Sequence, residues 1–80
     1  MEAKLDKDSS IVTTLTPVGS LIIQNGQQST EAIEWSFDNN PNKAWSRLWA
    51  GTDMIGVTKP IYLRTMAGSY NDIIITYEEI

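Results

Sequence analysis

Eighty residues make one domain, near the lower limit at which a single hydrophobic core sustains itself. The chain has no cysteine and no histidine, which excludes disulfides, thiolate metal sites and the Ser-His-Asp and Cys-His catalytic systems. The net charge of −4, with Lys4, Lys7, Lys43, Arg47, Lys59 and Arg64 scattered along the chain, argues against nucleic-acid binding by counterion release; no apolar run approaches the ~20 residues that span a bilayer.

Taken in order, residues 1–9 are dominated by Glu2, Lys4, Asp6, Lys7 and Asp8. They carry no signal-peptide pattern and predict a flexible leader, with a single β domain over 10–80. Ile11–Thr16 is β-branched and stops at Pro17, where a ladder donor is lost, so a strand is expected there. A second strand over 20–24 ends at Asn25-Gly26, a pair suited to the positive φ angles of a tight turn. Gln27-Gln-Ser-Thr30 reads as a polar connection.

From Glu31 to Phe37 the alternation is clean. Ile33, Trp35 and Phe37 share one face and Glu34 and Ser36 the other, the pattern of a half-buried strand with Trp35 in the core. The Asp38-Asn-Asn-Pro-Asn42 run breaks it. Over 41–50 two readings stand. Trp45, Leu48 and Trp49 fall at i, i+3 and i+4, with Asn40 as a cap, Pro41 at the first position and Gly51 past the end, as for one short helix. Trp45, Arg47 and Trp49 also alternate, and the neighbouring strands favour an extended segment. Thr52–Thr58 is expected as a loop or edge strand.

The last twenty residues read as a closing hairpin that organises the rest. Ile61, Leu63 and Thr65 share one face of its first strand; Met66–Ser69 is the turn, and Ile73, Ile75 and Tyr77 share one face of its second. The run Ile73–Ile75 predicts an interior strand covered on both faces. Together these elements predict an all-β fold: a small Ig-like β-sandwich or open barrel of six to seven short strands.

Chemistry finds few candidates. Asp53 with Asp72, or Glu34 with Asp38, are conceivable carboxylate pairs, and Asp38, Asn39, Asn40 and Asn42 gather oxygens that a calcium ion could use. Solvated turn and strand charges explain the same residues, so no catalytic residue, metal or cofactor is expected. The candidate binding residues are Trp45, Arg47, Trp49 and Asn40, which would offer an exposed aromatic platform to a sugar or a protein partner. Core packing accounts for the same indoles equally simply.

The segment Ala67-Gly68-Ser69-Tyr70-Asn71-Asp72, entering Ile73–Tyr77, resembles the terminal turn and last strand of the spore-coat-U and chaperone–usher pilin families of Ig-like subunits. The resemblance implies that Gly68 frees the turn and that Tyr70 folds over the sandwich end as in a tyrosine corner. It further implies a non-enzymatic structural or assembly subunit, extracellular, at a cell surface or in a virion, with self-association or a protein partner and strand exchange through the Ser10–Thr16 strand. The alternative expectation is a small carbohydrate- or protein-binding module built on Trp45, Trp49 and Asn39–Asn42.

Overall fold

The computed structural model describes residues 1–26 and 31–80; the polar connection expected over 27–30 lies outside them. Among the described residues the chain is all-β, with eight strands in two four-stranded antiparallel sheets. They are β1 (Glu2–Leu5), β2 (Thr13–Leu15), β3 (Leu21–Asn25), β4 (Ile33–Ser36), β5 (Ser46–Leu48), β6 (Thr52–Val57), β7 (Ile61–Thr65) and β8 (Ile73–Glu79). One sheet has the order β1-β8-β3-β6 and the other β2-β7-β4-β5. The architecture is a small β-sandwich.

The two-residue period places one row of each strand between the sheets. Leu5, Leu21, Ile23, Val57, Ile73 and Ile75 from the first sheet meet Leu15, Ile33, Leu48, Ile61 and Leu63 from the second. Burial of a Leu or Ile side chain is worth about 1.5–3 kcal/mol, so this interlayer sustains a chain without disulfides. Trp35 packs against it from one end, with Phe37 edge-on at a ring separation of 5.3 Å.

Several expectations are corrected. Residues 1–9 are not simply a leader: Glu2–Leu5 pairs with β8 from Glu2↔Thr76 to Leu5↔Ile73, and Leu5 is fully buried. The alternation of Ala3 and Leu5 with charged neighbours is a short strand pattern that solvated charges obscure. With this strand the total rises from six or seven to eight. Of the two readings for 41–50 the extended one holds and the short helix does not form; β5 pairs with β4 through Ile33↔Leu48 and Trp35↔Ser46, which buries Leu48 against the core. The closing hairpin is not a paired ladder, because β7 lies between β2 and β4 while β8 lies between β1 and β3. Its turn carries the chain from one sheet to the other.

The corrected hairpin also changes the fate of its side chains. β8 is interior within its sheet, with Ile73 and Ile75 buried, but Ile74 faces outward and is 55% exposed. That outer face has no layer over it among the described residues. Gly68 has a φ of 85°, a conformation that L side chains avoid, and Ser69 N–H closes the turn on Met66 O at 3.1 Å. Tyr70, by contrast, is 86% exposed and does not cover the sandwich end.

Among the described residues two polar ones are fully buried, Asn25 and Thr65. Thr65 Oγ1 donates to Asp6 O at 2.8 Å and ties the connection after β1 to β7. Asn25 Nδ2 donates to Glu31 O at 3.1 Å and to Leu48 O at 2.9 Å, joining the end of β3 to both flanks of the β4–β5 pair. Its Oδ1 is buried with no hydrogen-bond partner among the described residues.

Candidate functional site

The outer face of the second sheet carries the residues singled out for binding. On β4, Glu34 stands opposite Arg64 of β7 on one side and Arg47 of β5 on the other. The Arg64 Nε–H donates to Glu34 Oε1 at 3.0 Å, and both side chains are about four-fifths buried, at 17% and 20% exposure. The same guanidinium lies 3.9 Å from the centre of the Trp45 ring. Trp45 Nε1 in turn donates to Asn40 O at 3.0 Å.

These contacts divide the candidate residues into two groups. Trp45 is 9% exposed, with its indole under Arg64 and its N–H already engaged, so it is no open platform. Asn40 is also engaged: its Oδ1 accepts from Asn42 N–H at 2.9 Å, and its carbonyl accepts from Lys43 N–H at 3.2 Å. In the same loop Lys43 Nζ meets Asp38 Oδ2 at 2.8 Å. The exposed Asp38 carboxylate holds the Lys43 ammonium above its ordinary pKa, through their hydrogen bond first and their charge attraction second. The Asn-rich loop is thus a self-bonded turn that anchors Trp45. The stacking of the largely buried Arg64 guanidinium on Trp45 stabilises by about 1–2 kcal/mol, and its role is to fix the end of β5.

Trp49 is different. It is 58% exposed, and Arg47 lies over its ring at 5.6 Å. Its position is set by a tight turn: Thr52 N–H returns to Trp49 O at 3.1 Å, with Gly51 at φ 80° supplying the conformation a type II turn requires at its third position. Gly51 N–H also donates to Asn25 O at 2.6 Å, so the buried Asn25 holds both ends of the segment that presents the indole.

The Met66–Ser69 turn brings Tyr70 to the same end of the sandwich. Trp49, Met66, Ser69 and Tyr70, with Glu31 and Ala32 between, line a shallow cleft of about 200 Å³. Ser69 Oγ donates to Glu31 Oε2 at 2.5 Å at its edge. Sequence reasoning did not join Tyr70 to Trp49, since they meet only because two separate turns close at one end. The candidate set Trp45, Arg47, Trp49 and Asn40 therefore splits into an anchor, Trp45 with Asn40, and an exposed pair, Arg47 with Trp49. Of the structural set, Trp35, Gly68, Ile73 and Ile75 lie in the core or its turn, and Tyr70 lies outside it.

The proposed carboxylate pairs are not assembled. Asp72 Oδ1 accepts from Lys7 N–H at 2.8 Å, whereas Asp53 meets Gln24 Nε2 at 3.5 Å on the other side of the sheet. Glu34 bonds Arg64 and Asp38 bonds Lys43. Among the described residues no helix is long and apolar enough to cross a membrane. In comparisons with known proteins, no family model, no curated protein and no solved structure matches this chain.

Proposed function

We propose that this chain is a non-enzymatic assembly subunit that acts through protein–protein contacts made by its β5–β6 side. One observation carries the reading: the Trp49 indole, 58% exposed and braced by Arg47, stands beside a sheet edge that has no paired strand among the described residues. Trp and Arg dominate the energetics of protein interfaces, and an edge strand offers unpaired backbone groups to a partner. The neighbouring β6 edge adds Ile55 at 74% exposure. The resemblance of the Ala67–Asp72 turn to Ig-like surface subunits supports the same reading, and with it a setting at a cell surface or in a virion. Sedimentation of the full chain over a wide concentration range tests it. A weight-average mass that rises above the monomer, and falls back in Trp49→Ala, is expected; a strictly monomeric chain that also retains no protein partner through Trp49 would refute it.

The cleft between Trp49 and Tyr70 favours a second reading, a small saccharide-binding module. Aromatic faces stack on sugar rings, and Ser69 and Glu31 supply polar groups at the edge. This moves the glycan site away from the buried Trp45 and the Asn39–Asn42 loop. Titration with neutral oligosaccharides should quench tryptophan fluorescence in the parent chain and not in Trp49→Ala. A response that survives this substitution would sink the reading.

A further inference from the structure

We infer that copies of this chain join head to tail by extending both sheets at once, β6 pairing with β1 and β5 with β2 of the next copy. This rests on the reading of the chain as an assembly subunit and gives that assembly its geometry. Each sheet has four strands and every pairing is antiparallel. The two edges of each sheet therefore run in opposite directions. A copy placed alongside by simple translation presents β1 antiparallel to β6 and β2 antiparallel to β5. Such a contact joins unlike surfaces and does not close on itself, so it propagates.

The lengths match. Beyond Ile55 the β3–β6 register shifts at Gly56, φ 79°, a bulge that ends regular pairing on that edge. The regular part, Thr52–Ile55, is as long as β1 (Glu2–Leu5), and β5 (Ser46–Leu48) is as long as β2 (Thr13–Leu15).

Charge and face then select one register. A one-residue slip would put inward residues outward. Of the registers that keep faces matched, one sets Asp53 opposite Lys4, Ile55 opposite Glu2 and Met54 opposite Ala3. Sliding by two residues in one direction opposes Asp53 to Glu2, and in the other Asp53 to Asp6; like charges directly opposite are destabilising. Within the copy, Lys4 reaches Asp72 only at 3.9 Å and Asp53 reaches Gln24 at 3.5 Å, both at the surface, so each is available to a better partner. With Arg47 opposite Thr14 in the second sheet, Trp49 falls opposite Val12, next to the exposed Ile11. The contact covers the apolar groups that stand open at both edges. A two-fold pairing of β1 with β1 would leave Trp49 and Ile55 uncovered.

Cysteine cross-linking tests this without interference, because the chain has none of its own. Glu2→Cys and Ile55→Cys are surface changes that leave the Asp53–Lys4 pair intact. Within one copy they lie three strand spacings apart, ~14 Å, beyond the about 7 Å that a disulfide can bridge. Under mild oxidation, a mixture of the two single variants should give a covalent dimer and the double variant a ladder of dimers, trimers and longer species. Each single variant alone should stay uncrosslinked. Asp53→Lys added to the double variant should abolish the ladder, and Lys4→Asp added to that should restore it. Homodimers from either single variant would overturn the inference in favour of a two-fold contact. Self-association of the parent chain without the 2–55 cross-link would overturn it while leaving the assembly reading intact; a monomeric parent chain would overturn it as well, and would remove the assembly reading too where no protein partner is retained through Trp49.

Discussion

Leu5→Ala is the substitution that most directly tests how the N-terminal residues belong to the fold. Leu5 is fully buried, facing the sandwich interior from β1, and that strand has β8 on one side and open edge on the other. Leu→Ala changes in cores cost about 2.7–5 kcal/mol, from lost transfer energy and from the cavity left behind. An edge strand can settle inward and fill part of that cavity, which points to the lower half of the range, about 3 kcal/mol. A domain of this size has a total stability of roughly 4–12 kcal/mol, so the loss is a large share of it. At about 4–8 °C per kcal/mol for a small domain, the melting temperature should fall by roughly 12–24 °C. Urea unfolding followed by tryptophan fluorescence reads the effect, since Trp35 and Trp45 are packed in the native state. Val18→Ala is the control: Val18 is 98% exposed, and a surface change of this kind stays within about 0.5 kcal/mol. If Leu5→Ala proved no more destabilising than Val18→Ala, β1 would not be docked as described, and the head-to-tail contact built on it would fall with it.

Two further substitutions probe local features. Gly68→Ala meets no atom within 4 Å of the new Cβ, so its cost comes from the positive φ alone; denaturant titration should show a loss of about 1–2 kcal/mol, and an unchanged midpoint would mean the turn has another conformation. Asp8 is held below its ordinary carboxylate pKa of 3.8, first by the Ser10 hydroxyl and then by the Ser10 N–H. A depressed folded value means that its contribution is present above the unfolded pKa and is lost as pH falls through the folded one. In Ser10→Ala the carboxyl should titrate closer to its ordinary value by ¹³C NMR while the backbone bond keeps part of the depression. A titration identical to that of the parent chain would refute the hydroxyl's role.

Much of the fold was written in local pattern. The rows Ile33–Trp35 and Ile61–Leu63–Thr65 alternate in the sequence and line the interior in the structure, because a strand's side chains can only point to two faces. Gly68 was legible in a turn for a similarly local reason: positive φ is open to glycine and costly to other residues. β1 was harder to see. Its four residues hold two charges, and what makes Glu2–Leu5 a strand is a partner about seventy residues away, with Met1 and Tyr77 exchanging backbone hydrogen bonds of 3.0 and 2.9 Å. The binding residues were legible as a composition but not as a site. Trp45 and Trp49 are alike in sequence, and only the placement of Arg64 and Asn40 over one of them separates anchor from exposed surface.

What the sequence determined by itself is the class of object: a small all-β domain without cysteine or histidine, whose strand faces and turn positions follow from residue type and spacing. What the tertiary structure decided is which strands are neighbours. β7 and β8 are adjacent in the chain yet lie in different sheets, and β8 takes β1 and β3 as its partners. Alternation tells a strand which face to bury; it carries no address for the partner. Pairing is settled only when all the buried faces close over one core together, and that closure also leaves β5 and β6 as a shared open side, with Trp49 and Ile55 facing the solvent.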